Sequence, residues 1–112
     1  PTRRSSDLRM LLKELHEQLV QKILSHEQQD EQDLYPSLST MLVGDDPLAA
    51  LYRSHKEIYQ EVRKLGRLSE LLQNTDVSAD IIRDVQRSLY GLEAILQLHF
   101  AQEEELYNSL QA

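Results

Sequence analysis

Three histidines and two carboxylates carry the chemistry open to this 112-residue chain: His26 with Asp30, His55, and His99 with Glu103. Four residues along an α-helix amount to about 400° of rotation and about 6 Å of rise, so His26 with Asp30, and His99 with Glu103, each place a nitrogen and an oxygen on one face. Such a pair can share a metal ion. With His55 from the helix between them, they form a mixed nitrogen and oxygen donor set that suits iron, manganese or zinc. Two neighbouring divalent ions would also need bridging carboxylates, a role open to Asp30 and Glu103. A lone histidine in a helix core is more often a hydrogen-bonded interior group than a ligand, but an ionised carboxylate in an apolar stripe is prohibitively costly without a partner. Glu27, Glu31, Glu104 and Glu105 fall partly off the stripes and read as solvated faces, with Glu27, Glu31 or Glu104 as alternatives to the carboxylates named above. Tyr52 and Tyr59 share the face of His55 and read as core packing, or else as hydrogen-bond partners of a metal shell. His16 lies ten residues before His26. That is about 15 Å of rise and about 80° out of phase, so it reads as a flank residue outside the site.

Three amphipathic helices must position these groups. Leu12, Leu15, Leu19 and Ile23 recur at three-to-four-residue spacing and lead into His26, Asp30 and Leu34. Pro36 is expected to end or kink this helix near Tyr35, with a further turn over Leu38 to Val43 before the break at Gly44-Asp45-Asp46-Pro47. Asp46 and Pro47 form an N-cap and first-turn pair, predicting a second helix from Pro47 to about Gln73. Its stripe is Leu48, Leu51, Tyr52, His55, Ile58, Tyr59, Val62 and Leu65. A third helix, capped near Asp76 or Ser78, turns Ile81, Ile82, Val85, Leu89, Leu92, Ile95 and Leu96 inward and carries His99, Glu103, Leu106 and Leu110 on the same face.

Two segments echo one another. His26, Asp30 and Leu34-Tyr35-Pro36 correspond to His99, Glu103 and Leu106-Tyr107, with the second copy one residue shorter before Leu-Tyr and Asn108 in place of the proline. Matched elements of this kind suit a pseudo-symmetric bundle that supplies equivalent ligands to two metals.

Composition narrows the alternatives. Three Gly and three Pro among many Leu, Glu, Gln, Lys and Arg favour an all-α domain. With 12 basic and 19 acidic residues the net charge is −7, which repels nucleic acid and anionic lipid. The absence of Cys excludes disulfides and thiolate metal sites, leaving His and carboxylate as the strong ligands. No apolar run reaches the roughly 18 residues of a membrane span, and the start lacks the apolar stretch of a signal peptide, so a cytoplasmic location is expected. The opening Pro1-Thr2-Arg3-Arg4-Ser5-Ser6-Asp7-Leu8 reads like one translated frame of a common sequencing adapter, or else as a disordered basic tail, so residues 1–8 are set apart from a domain over 9–112.

Taken together, order, spacing and the Leu-Tyr-Pro tag resemble the hemerythrin-like HHE cation-binding family from about Leu8 to the end. The family pattern is a His on helix one, His-x3-Glu before Leu-Tyr-Pro on helix two, His on helix three and His-x3-Glu on helix four. The resemblance implies three of the four helices of an antiparallel up-down bundle, and an oxo- or hydroxo-bridged di-iron centre, with manganese or zinc as substitutes. Such proteins bind or sense oxygen or nitric oxide, handle iron, or repair damaged iron centres. Asp30 stands where the family has Glu. His55 and His99 are 44 residues apart, and a similar interval before His26 would put the family's first-helix His ahead of residue 1. No residue points to a substrate pocket, so binding, sensing or iron handling is expected rather than catalysis. The competing readings are a metal-free helical interaction module, a dimer through an exposed core groove, and a di-iron oxidase or repair enzyme.

Overall fold

A computed structural model describes residues 3–40 and 48–111, and every regular element among them is helical. The first is one long rod made of α1 (Arg3–Gln18), a π-helical segment π1 (Leu19–Leu24), α2 (Ser25–Gln29), a second π-helical segment π2 (Asp30–Leu34) and α3 (Tyr35–Ser39). It is followed by α4 (Ala49–Asn74) and α5 (Ala79–Gln111). At about 1.5 Å per residue these lengths produce a narrow body, 57 × 21 × 19 Å.

Pro36 does not end the rod. It sits in the first turn of α3, directly after π2, where a missing N–H and a wider preceding turn are both tolerated. The expected caps at Asp46 and Pro47, and the extra turn toward Val43, lie outside the described residues. Ser78 is the cap that opens α5: its hydroxyl accepts the Ile81 N–H at 3.2 Å.

Apolar contacts gather in three clusters along the length of α4, which packs against both the rod and α5. Leu12, Leu65, Leu72 and Val85 close one end. Ile58, Val62 and Leu92 fill the middle, with Leu19, Ile23, Leu24, Ile95 and Leu96 against them. Tyr35, Leu38, Leu48 and Leu51 close the other end beside Leu106 and Tyr107. Three expected core residues face outward instead: Leu15 is 37% exposed, Ile82 37% and Tyr52 41%. Neighbours in a helix are about 100° apart, so Ile81 and Ile82, or Leu51 and Tyr52, cannot both point at one core. His16 is half-buried against Gly66, where a Cβ would meet its Nε2 at 2.6 Å. That contact lies beside the closed apolar end and away from the other histidines, as the phase argument required.

Candidate metal centre

Between the middle and upper clusters the interior turns polar. α4 buries His55 because its neighbours on the stripe, Leu51, Ile58 and Val62, are apolar and anchored. α5 does the same for His99 with Leu92 and Ile95, and places Glu103 one turn further on the same face. The two imidazoles meet with Nε2 atoms 3.2 Å apart and ring centroids 4.6 Å apart.

From the rod, Glu27 completes the group. It is 1% exposed, and its Oε2 lies 2.5 Å from His55 Nε2 and 2.9 Å from His99 Nε2. Glu103 Oε1 lies 2.9 Å from His99 Nε2 and accepts the Tyr35 hydroxyl at 2.8 Å. Tyr35 is fully buried, and its oxygen is also 3.1 Å from His55 Nε2. On the far side of the His55 ring, Nδ1 donates to Glu31 Oε1 at 2.6 Å. That bond leaves Nε2 as the nitrogen presented to the centre, the orienting device common among metal-bound histidines. His99 Nδ1 is buried without a hydrogen-bond partner among the described residues.

Of the residues read from the sequence, His55, His99 and Glu103 are brought together. His26 and Asp30 lie beside this group rather than inside it: His26 Nε2 is 3.4 Å from an Asp30 oxygen, with the His26 side chain 63% exposed and that of Asp30 11%. Together with Glu27 they form a second cluster of potential ligand atoms, and Glu27 belongs to both clusters. Reading Glu27 and Glu31 as solvated faces is therefore corrected. The π segments supply the reason. An ordinary α-helix brings the inward face round every 3.6 residues, but the rod's inward positions run Leu19, Ile23, Glu27, Glu31, Tyr35, one every four. The wider turns absorb the surplus. Counting back from the Leu-Tyr tag would have found this register, because Glu27 and Glu31 stand seven and three residues before Leu34, as His99 and Glu103 stand before Leu106. Tyr35 carried no signal as a site residue beyond membership of that tag. Tyr52 packs edge-on against Tyr35 at 5.5 Å, whereas the Tyr59 hydroxyl is buried without a hydrogen-bond partner among the described residues.

Hydrogen bonds and neighbouring charge set the protonation of the cluster against burial. Burial pushes the Glu27 carboxyl up, yet hydrogen bonds and charge from His55 and His99 outweigh it and hold the group at about 2. Burial pushes His99 down, but Glu103 and Glu27 raise it to about 9. His55 is likewise raised by Glu27 and Glu31 against burial, and Glu103 is lowered by His99 and Tyr35 against burial. Asp30 moves the other way: burial raises it, with His26 opposing and Glu103 and Glu27 adding.

A cation fits this donor set. Glu27, His55, His99 and Glu103 each offer one ligand atom, all within 4.8 Å of one another. Two atoms bonded to one ion at about 2.1 Å, in roughly tetrahedral or octahedral directions, stand about 3.0–3.4 Å apart, close to the 3.2 Å between the two Nε2 atoms. Two imidazoles and two carboxylates around one point suit iron, manganese or zinc.

Comparison with known proteins agrees. No curated protein and no solved structure matches the chain. The family model of the hemerythrin HHE cation binding domain matches residues 2–110. That span takes in nearly the whole chain and every residue of both clusters, so the chain belongs to the hemerythrin HHE cation-binding domain family.

Proposed function

We propose that this chain holds a non-haem di-iron centre used to bind or sense oxygen or nitric oxide, or to handle iron, with no catalytic turnover of its own. The observation that carries the reading is the convergence of His55 Nε2 and His99 Nε2 on one buried Glu27 oxygen, with Glu103 beside them. In this proposal Glu27, His55, His99 and Glu103 hold an inner ion. His26 and Asp30 would hold an outer one, and Glu27 belongs to both groups of potential ligand atoms. Oε2 of Glu27 contacts both His55 and His99, and Glu27 also has a ligand atom within 4.8 Å of those of His26 and Asp30. The outer pair opens on a cleft lined by Gln29, Asp33, Leu34 and Ser37, so the two positions differ in access to solvent. Glu31 orients His55, and Tyr35 holds Glu103 in place.

A bound iron pair would supply a redox-active Lewis-acidic centre. The chain's own residues contribute position and dryness: Ile58, Val62 and Leu92 exclude water from below, and Tyr35 and Leu51 from above. Pairings such as Ser54 with Gln102 and Glu61 with Ser88 support the up-down antiparallel order of α4 and α5. No described helix is long and apolar enough to cross a membrane.

The test is anaerobic loading with ferrous iron, followed by metal analysis and absorption spectra before and after exposure to oxygen or nitric oxide. Two irons per chain and a gas-dependent spectrum are expected. A chain that takes up no iron, manganese or zinc would refute the proposal in favour of a metal-free interaction module.

A further inference from the structure

On the outer face of α4, away from the cleft beside His26, a second cleft of about 490 Å³ is lined by Glu31, Tyr52, Arg53, Lys56, Tyr59 and Arg63. Arg53, Lys56 and Arg63 concentrate positive charge in a chain whose net charge is −7. All three are exposed, and none forms an ion pair or side-chain hydrogen bond among the described residues. The acidic wall is a single carboxylate, Glu31, already engaged by His55 Nδ1. Three cations against one carboxylate leave a local surplus of two positive charges. The remaining wall is aromatic, from the half-exposed Tyr52 ring and from Tyr59, whose hydroxyl is buried without a hydrogen-bond partner among the described residues.

We propose that this cleft binds an organic phosphomonoester with a flat, apolar body, independently of any metal. The charge surplus matches a phosphate group, which carries about −1.5 to −2 at neutral pH. Two guanidinium groups and one ammonium supply the forked and point-charge donors that phosphate oxygens accept. The volume falls in the range of about 300–1,000 Å³ typical of small-molecule sites and exceeds what inorganic phosphate alone would fill. Tyr52 and Tyr59 provide the surface on which the body of the ligand lies.

Isothermal titration of the purified chain with phenyl phosphate, inorganic phosphate and phenol tests the assignment. Phenyl phosphate is expected to bind saturably and more tightly than inorganic phosphate, with phenol not binding. The double substitution Arg53→Gln with Arg63→Gln should weaken phenyl phosphate by about tenfold or more. Tyr52→Ala should weaken phenyl phosphate while leaving inorganic phosphate unchanged, and Arg87→Gln, on an exposed position of α5, should change neither. All the substituted side chains are exposed, so helicity by circular dichroism should be retained. Absence of saturable phenyl phosphate binding, or binding unaffected by the double substitution in a chain of normal helicity, overturns the proposal.

Discussion

Two stretches of α4 are equally buried and built from opposite chemistry. Near its C-terminal end, Leu65 and Leu72 are fully enclosed with Leu12 and Val85; about three to five turns earlier, His55 is just as enclosed, but against Glu27 and His99. The apolar end is held by the removal of carbon surface from water, about 1.5–3 kcal/mol for each fully buried Leu, and tolerates conservative exchange. The polar stretch gains little net stability, because desolvating charges costs about as much as their pairing returns. Its worth lies in presenting nitrogens and oxygens at fixed positions, and the apolar clusters on either side supply the stability that lets it do so. A site of this kind is bistable in charge, since protons or a cation can satisfy the same carboxylates.

Substitutions at the two stretches should separate these roles. The largest effect is expected from Glu27→Ala, which removes the carboxylate both imidazoles face: metal uptake should be abolished, and the apo chain destabilised by about 3–5 kcal/mol in urea unfolding. Retention of two metals per chain by this variant would show that Glu27 is not shared. Leu72→Ala at the apolar end should cost about 2–5 kcal/mol while leaving metal stoichiometry unchanged; a proportionate loss of metal would mean that the two stretches are not independent.

Acidity offers a graded version of the same comparison. His99 is raised from 6.5 to about 9, so its contribution to apo stability is complete below about 6.5 and lost as pH rises through about 9. Glu27 is lowered from 4.5 to about 2, so its contribution is present above about 4.5 and lost as pH falls toward about 2. The metal-free chain should therefore be most stable between about pH 4.5 and 6.5, as read by thermal melts. Metal uptake should follow the opposite trend, strengthening with pH and releasing protons near neutrality, because the imidazoles must be neutral to bind. Uptake that releases no protons would count against His99 as a ligand.

The smallest effect concerns Gly66 and His16, beside the apolar end. Gly66→Ala gains helix propensity worth about 0.5–1 kcal/mol but pushes a methyl group against the His16 ring, so the single change should be near neutral. In a His16→Ala background the same change should stabilise by the full amount. Neither variant should alter metal content, and a loss of metal on His16→Ala would place that residue in the site after all.

Much of this was legible in the chain itself. Apolar spacing identified the three helices, Ser78 was one of the two caps foreseen for the third, and His55, His99 and Glu103 stand out because polar groups interrupt otherwise apolar stripes on regular α-helices. Their register follows from 3.6 residues per turn, and α4 and α5 keep that period. The first rod does not. Its two π segments widen the turn, so extrapolating the ordinary period from Leu12 lands on His26 and Asp30; Asp30 is buried beside the site, but it is Glu27 and Glu31 that the rod turns onto the imidazoles. Local propensity cannot reveal such a change of period, because a π turn is poor by itself and persists where packing on neighbouring helices holds it. The amino-acid order thus determined the helices, the donor types and the family, and marked the rod's register only by the distance back from Leu34-Tyr35; tertiary packing decided which carboxylates of the first rod face the two imidazoles, since contact with α4 and α5 is what holds the π turns that set that register.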